Sequence, residues 1–202
     1  MKSSRQTNSY KAARFFSVLG HPLVLLPLTV LIVALRNASP GRALTIGIIT
    51  ILVTVIPLLF IIRRRVVAGK WTDHDISEPS ERRNFYPIAV AVAAFSCLVF
   101  RLLDFPLPLL IGMIISVVLL PAAMFINQWS KISLHLTFAA YCAVSLAAID
   151  YGWAAFFILL AVAVGWSRVR LERHSLRQVL GGAALGGAGG IFLLQIIGFF
   201  QP

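Results

Sequence analysis

Hydrophobic and polar positions along the chain fall into long blocks, not into a short alternation. Seven apolar runs, at about residues 15–35, 43–62, 86–103, 107–127, 134–150, 152–166 and 176–200, are separated by short polar segments. A helix needs about twenty apolar residues to cross the hydrocarbon of a bilayer, so these runs read as membrane-spanning helices. None shows the period of two that a membrane barrel strand requires, and an open strand cannot satisfy its backbone in lipid. The fold class is therefore all-α, a polytopic transmembrane helix bundle of six or seven spans. The count is open because the fifth and sixth runs, divided by Asp150, Tyr151 and Gly152, are each barely long enough alone.

The opening "MKSSRQTNSYKAARFF" is polar and basic, and the apolar run after it carries no small-residue cleavage site. An uncleaved first span is expected, with a polar segment over 1–14 and a single transmembrane domain over 15–202. Prolines 22, 27, 57, 108 and 121 lie in or at the mouths of spans and predict kinks. The last run contains "GGAALGGAGG", with Gly182, Gly186 and Gly190 recurring on one helix face. Such a face lets another helix approach closely, either within the chain or in a homo-oligomer formed through the last span.

Composition agrees with the pattern: 59% of residues are hydrophobic, only 12% are charged, and the mean hydropathy is +0.89. Cys97 and Cys142 lie inside apolar runs and read as packed residues, not as a disulfide. The net charge of +11 would suit a nucleic-acid binder, but the charges sit in the short segments between spans, so no nucleic-acid partner is expected. Seven crossings put the N-terminus on one side with 63–85, 128–133 and 167–175. That side holds fifteen Lys and Arg residues; the other holds Arg36, Arg42 and Arg101. The positive-inside rule therefore predicts an inner or plasma membrane protein with those three loops in the cytoplasm.

The same three loops concentrate the reactive side chains. "RRRVVAGKWTDHDISEPSERRNFYP" contributes Arg82 and Arg83, "NQWSKISLHL" contributes Lys131, Ser133 and His135, and "WSRVRLERHSLRQ" contributes Arg168 and His174. A guanidinium matches phosphate oxygens bidentately, and helix N-termini add backbone donors, so a tetrahedral anion suits this set. Two imidazoles beside it can divide labour, one attacking phosphorus and one protonating the leaving oxygen. No metal or other cofactor is called for: no carboxylate cluster has ligand spacing, and His74 with Asp75 is a weak pair. His21, in "LGHPL", has no charged neighbour in sequence and reads as a hydrogen-bonded packing residue. Asp104 and Asp150 read as loop caps.

The three loops resemble the signatures of the type 2 phosphatidic acid phosphatase superfamily over about residues 63–190. "SRVRLERHSLRQ" is similar to S-R-x-x-x-x-x-H-x-x-x-D, matching at Ser167, Arg168 and His174. "ISLH" stands in the place of P-S-G-H and keeps Ser133 and His135. "DISEPSERR" stands in the place of K-x-x-x-x-x-x-R-P, with Arg82 in the arginine register. The resemblance implies that His174 is the nucleophile that forms a phosphohistidine and His135 the general acid. It also implies that Arg82, Ser133 and Arg168 cradle the phosphate.

Four positions depart from the pattern. Asp75 replaces lysine, a charge that Lys131 or Arg83 can supply. Ile132 and Leu134 replace Pro and Gly. Gln178 replaces the aspartate that orients the nucleophile; it still accepts a hydrogen bond but stabilises no imidazolium, unless Glu172 or an acid within 73–81 substitutes. Residues and resemblance together imply a metal-independent phosphohydrolase acting on a lipid phosphate or an isoprenyl (di)phosphate. The alternatives are a non-catalytic relative that binds or translocates anionic lipid, and a structural subunit.

Overall fold

The computed structural model describes residues 2–73, 76 and 78–198, with side chains from Thr7 onward, Pro79 excepted. The described residues form helices and turns, with no strand. The order is α1 (Lys2–Leu19), α2 (Pro22–Asn37), α3 (Pro40–Thr50), a π-helical turn (Ile51–Val55), α4 (Ile56–Val67), α5 (Pro79–Leu102), α6 (Leu107–Ile126), α7 (Leu134–Ser145, extended by a tighter turn to Ala148), α8 (Tyr151–Arg170) and α9 (Leu176–Ile196). By length and composition five segments can cross a membrane: Pro40–Val67, Ser80–Leu102, Leu107–Ile126, Tyr151–Arg170 and Leu176–Ile196. A sixth forms if α1 and α2 act together. The chain is a polytopic helical membrane protein.

Two expected spans differ in form. The run 15–35 is not one helix: α1 and α2 meet at a 53° bend. The break has a local cause, since Gly20 is a poor helix former and Pro22 has no N–H to continue the ladder. His21 closes the corner by accepting the N–H of Leu23 at its Nδ1 (3.1 Å). From Lys2 the polar segment is helical, and α1 runs on from it into the apolar run. The run 134–150 folds as only twelve residues of α-helix and three of tighter turn. At 1.5 Å per residue that reaches about 22 Å, short of the roughly 30 Å of hydrocarbon.

The chain divides into two compact units. In Val30–Met124, Val30, Ala34, Ala43, Ile46, Phe100, Phe105, Leu109 and Met113 form a buried core. Pro57 leaves the Val53 carbonyl without its intrahelical donor, and the Ser96 hydroxyl, 3.4 Å away, reaches it from α5.

In the unit of residues 1–29 and 125–202, α7 is packed most extensively against α9, then against α8, and α1 lies along α8. The glycine repeat sets the closest contact. A Cβ at Gly182 would strike the Ser133 carbonyl, one at Gly186 the Thr137 backbone, and one at Gly190 the Val144 side chain (2.6 Å). The paired positions rise together in number, so α7 and α9 run parallel with their N-termini at the same end. The glycine face is thus occupied by α7 of the same chain. On α8, Leu159 and Val162 remain 71% and 67% exposed, the outward apolar face that a bilayer covers.

Gly186→Ala should destabilise by about 1–3 kcal/mol, because the methyl group meets backbone that cannot rotate away. Gly187, one position on, has open space around it, and Gly187→Ala should be neutral or stabilising by up to about 1 kcal/mol. Thermal unfolding in detergent reads both, and equal shifts would remove the close-packing account.

Candidate active site

Arg168 and His174 are brought together by the way α8 ends. Leu171 closes the helix, and Glu172 follows in the left-handed region (φ 58°). The reversal lets the Arg168 carbonyl accept the N–H groups of both Arg173 (3.0 Å) and His174 (3.2 Å). The six-residue interval between arginine and histidine is therefore one turn that folds back on itself. Within it the guanidinium of Arg168 is turned inward, 2% exposed, and its Nη1 donates to the Ser17 hydroxyl on α1 (2.7 Å). Neighbouring contacts fix α1 in register on α8: Arg170 Nε donates to Ser9 Oγ (3.1 Å), the Phe16 and Trp166 rings meet edge to face at 6.4 Å, and Gly20 fits against Val164.

His174 is oriented by Gln178. Ser175 and Gln178 form a capping box at the start of α9. The Ser175 N–H donates to Gln178 Oε1 (3.2 Å), and the same oxygen lies 3.2 Å from His174 Nδ1. An atom that accepts a backbone N–H is the amide oxygen, so in the neutral ring Nδ1 carries the hydrogen and donates to it. The lone pair of His174 is left on Nε2, the nitrogen remote from the cap.

Ser133 N-caps α7 and links the second loop to the third, its N–H donating to the Gln178 carbonyl (3.1 Å). Its own carbonyl accepts from the N–H (2.9 Å) and hydroxyl (3.1 Å) of Thr137. The Ser133 hydroxyl is fully buried, makes no capping bond and has no hydrogen-bond partner among the described residues. Buried hydroxyls are rarely left so, and a bound anion would satisfy this one. His135, 6% exposed in the first turn of α7, is buried within electrostatic reach of Arg168, His21 and His174. Its ring stands perpendicular to that of His21, at 89° with centroids 5.0 Å apart.

His135, His174, Arg168, Ser133 and Gln178 thus share one end of one unit, where the N-termini of α7 and α9 also point. Lys131 is half-buried in the same loop as Ser133. That unit holds nine Lys and Arg residues and two acids. Asp150 caps α8, accepting from Gly152 (2.8 Å) and Trp153 (3.1 Å), while Glu172 is exposed and not a substitute for the missing aspartate. Arg82 and Arg83 belong to the other unit; Arg82 Nε donates to the Ile76 carbonyl (3.1 Å), and Arg83 is exposed. Glu81 is committed there too, accepting from Thr72 N (2.7 Å) and Oγ1 (3.3 Å). His74, Asp75 and Ser77 lie outside the described residues. No three His, Cys, Asp or Glu side chains converge as metal ligands among the described residues.

The sequence marked His21 only as a hydrogen-bonded packing residue, which its bond from Leu23 bears out, and did not mark Ser17; the fold sets them against His135 and Arg168. A signal was present: an ionisable residue between glycine and proline within a span marks both a break and a potential site.

Residues 121–201 match the family model of the PAP2 superfamily, about two fifths of the chain. The match takes in α7, α8 and α9 with the loops of Ser133, His135, Arg168 and His174, and it does not extend to Arg82 and Arg83. No curated protein and no solved structure matches the chain.

A left-handed residue with a side chain costs about 1–2 kcal/mol, which glycine avoids. Glu172→Gly should therefore hold or raise the unfolding midpoint, whereas Glu172→Val, β-branched, should lower it. A midpoint for the glycine variant at or below that of the valine variant would contradict the turn.

Proposed function

With residues 121–201 matching the PAP2 superfamily, a family of phosphatases, we propose that this membrane protein removes phosphate from a lipid phosphate or isoprenyl (di)phosphate through a phosphohistidine. The observation that carries the reading is the hydrogen bond between His174 Nδ1 and Gln178 Oε1, which orients the ring and selects the tautomer whose lone pair is on Nε2. Arg168, Ser133 and the two helix N-termini supply donors for the phosphoryl oxygens, with Lys131 in the same loop.

In the first step His174 Nε2 forms a bond to phosphorus as the phosphorus–oxygen ester bond breaks. The ester electron pair passes to the leaving oxygen, which takes a proton from His135. In the second step a water oxygen attacks the phosphorus, the phosphorus–nitrogen bond returns its electrons to His174, and His135 takes the water's proton. Nothing in these two steps requires a metal. A substrate with an apolar tail suits a site at the end of a lipid-facing bundle, and the charge bias between loops favours its opening to the cytoplasm.

Gln178 favours a second reading, a lipid-binding relative without turnover. A neutral amide orients the imidazole but does not offset its charge; the same loss in a serine-protease triad lowers turnover by roughly 10⁴.

In mild detergent, phosphate release from a panel of lipid phosphates and diphosphates should be abolished by His174→Ala and by His135→Ala. Acid-quenched label from a phosphate-labelled substrate should remain on the parent and not on His174→Ala. Gln178→Glu keeps the reach and the capping box and adds the charge, so it should raise kcat by about ten-fold or more. Lipid retained without release in the parent and in Gln178→Glu would select the binder. Separately, Ser130→Cys, placed in the exposed 128–130 stretch, should react with an impermeant thiol reagent only after permeabilisation; labelling in intact cells would reverse the orientation.

A further inference from the structure

We infer that His21 is a positioning residue for His135, which makes the bend between α1 and α2 part of the active site. The inference rests on the reading of His135 as the acid that protonates the leaving group. The His21 ring is the wall against which His135 stands, with centroids 5.0 Å apart and planes at 89°. That wall is fixed from behind. Its Nδ1 accepts the Leu23 N–H (3.1 Å), which puts the hydrogen of the neutral ring on Nε2 and stops the ring from turning.

The bend itself is clamped. Gly20 lies so close to Val164 on α8 that a Cβ would overlap the valine methyl groups. One turn earlier Ser17 receives the Arg168 guanidinium (2.7 Å). A single five-residue stretch, Ser17 to His21, therefore touches both a phosphate-binding cation and the proposed acid. A span that only anchored the chain would need neither a break nor an imidazole there, and an imidazole inside a span is costly unless it is used.

The chemistry of this role is orientation. A catalytic group held in its working direction avoids reorganisation at the transition state, and a misplacement of about 1 Å can cost about 10²-fold in rate. Because His135 serves the leaving oxygen, the loss on removing His21 depends on how much that oxygen needs a proton. An alkoxide needs one; a nitrophenolate departs without.

The test uses the full-length protein with two tailed substrates, an alkyl phosphate and a nitrophenyl phosphate bearing the same alkyl tail. His21→Asn is the informative variant. Its Oδ1 still accepts the Leu23 N–H, so the corner stays capped, but the ring against His135 is gone; His21→Ala removes both. In His21→Asn the ratio of alkyl to aryl kcat/KM, which reads only the step that breaks the ester bond, should fall about ten-fold or more, as it should in His135→Ala. An unchanged ratio, or equal losses on both substrates as a general loosening of the fold would give, overturns the role of His21. A parent without turnover on either substrate defeats the phosphatase reading itself, and the inference with it.

Discussion

The close approach of α9 to α7 is the constraint on which the rest of the site depends. Three glycines at four-residue intervals leave no side chain at the points of contact, and the backbone and β-carbons of α7 fill the space. Because the helices run parallel, their N-termini lie side by side, and the loops that precede them, one ending in Ser133 and the other in His174, meet. The bond from Ser133 N to the Gln178 carbonyl is the direct seam. Two helix N-termini at one point give a cluster of partly positive backbone groups, the framework on which the proposed phosphate site rests.

Onto that framework the guanidinium of Arg168 and the imidazole of His174 are added by an element of opposite direction. The C-terminal turn of α8 delivers Arg168 and reverses through Glu172 to deliver His174, and α1 supports it from outside through Ser9, Phe16 and Ser17. Gly165 lets α8 close on both others, a Cβ there lying 3.2 Å from Val179 and 3.7 Å from Leu136. The positive charge of the unit is thus spread over α1, the 128–133 loop, the end of α8 with the turn after it, and Arg177 at the start of α9, while of its two acids Asp150 caps the far end of α8 and Glu172 is exposed.

Gln178 joins local structure to chemistry. Its amide completes the capping box of α9 and, with the same oxygen, orients His174. A residue required for the helix start is therefore also the residue that selects the imidazole tautomer. An acid of equal length would satisfy both tasks and add charge, so the present residue sets the balance between orientation and electrostatic support.

By itself the sequence determined the all-helical membrane class, most span boundaries, the loops that carry the chemistry, and His135, Arg168, His174 and Gln178 as candidates. These are properties of local periodicity and of spacing within single turns, and such properties survive in one dimension. The glycine repeat announced a close helix contact, though not that α7 would be its partner. Only the tertiary structure decided that the first apolar run breaks at His21, that 134–150 is a short helix packed among neighbours, and that Ser17 and His21 reach Arg168 and His135. Those contacts join residues more than a hundred positions apart, where no periodicity links them, and they arise because the space left between α7 and α8 has to be filled by whichever part of the chain the Gly20–Pro22 break can turn into it.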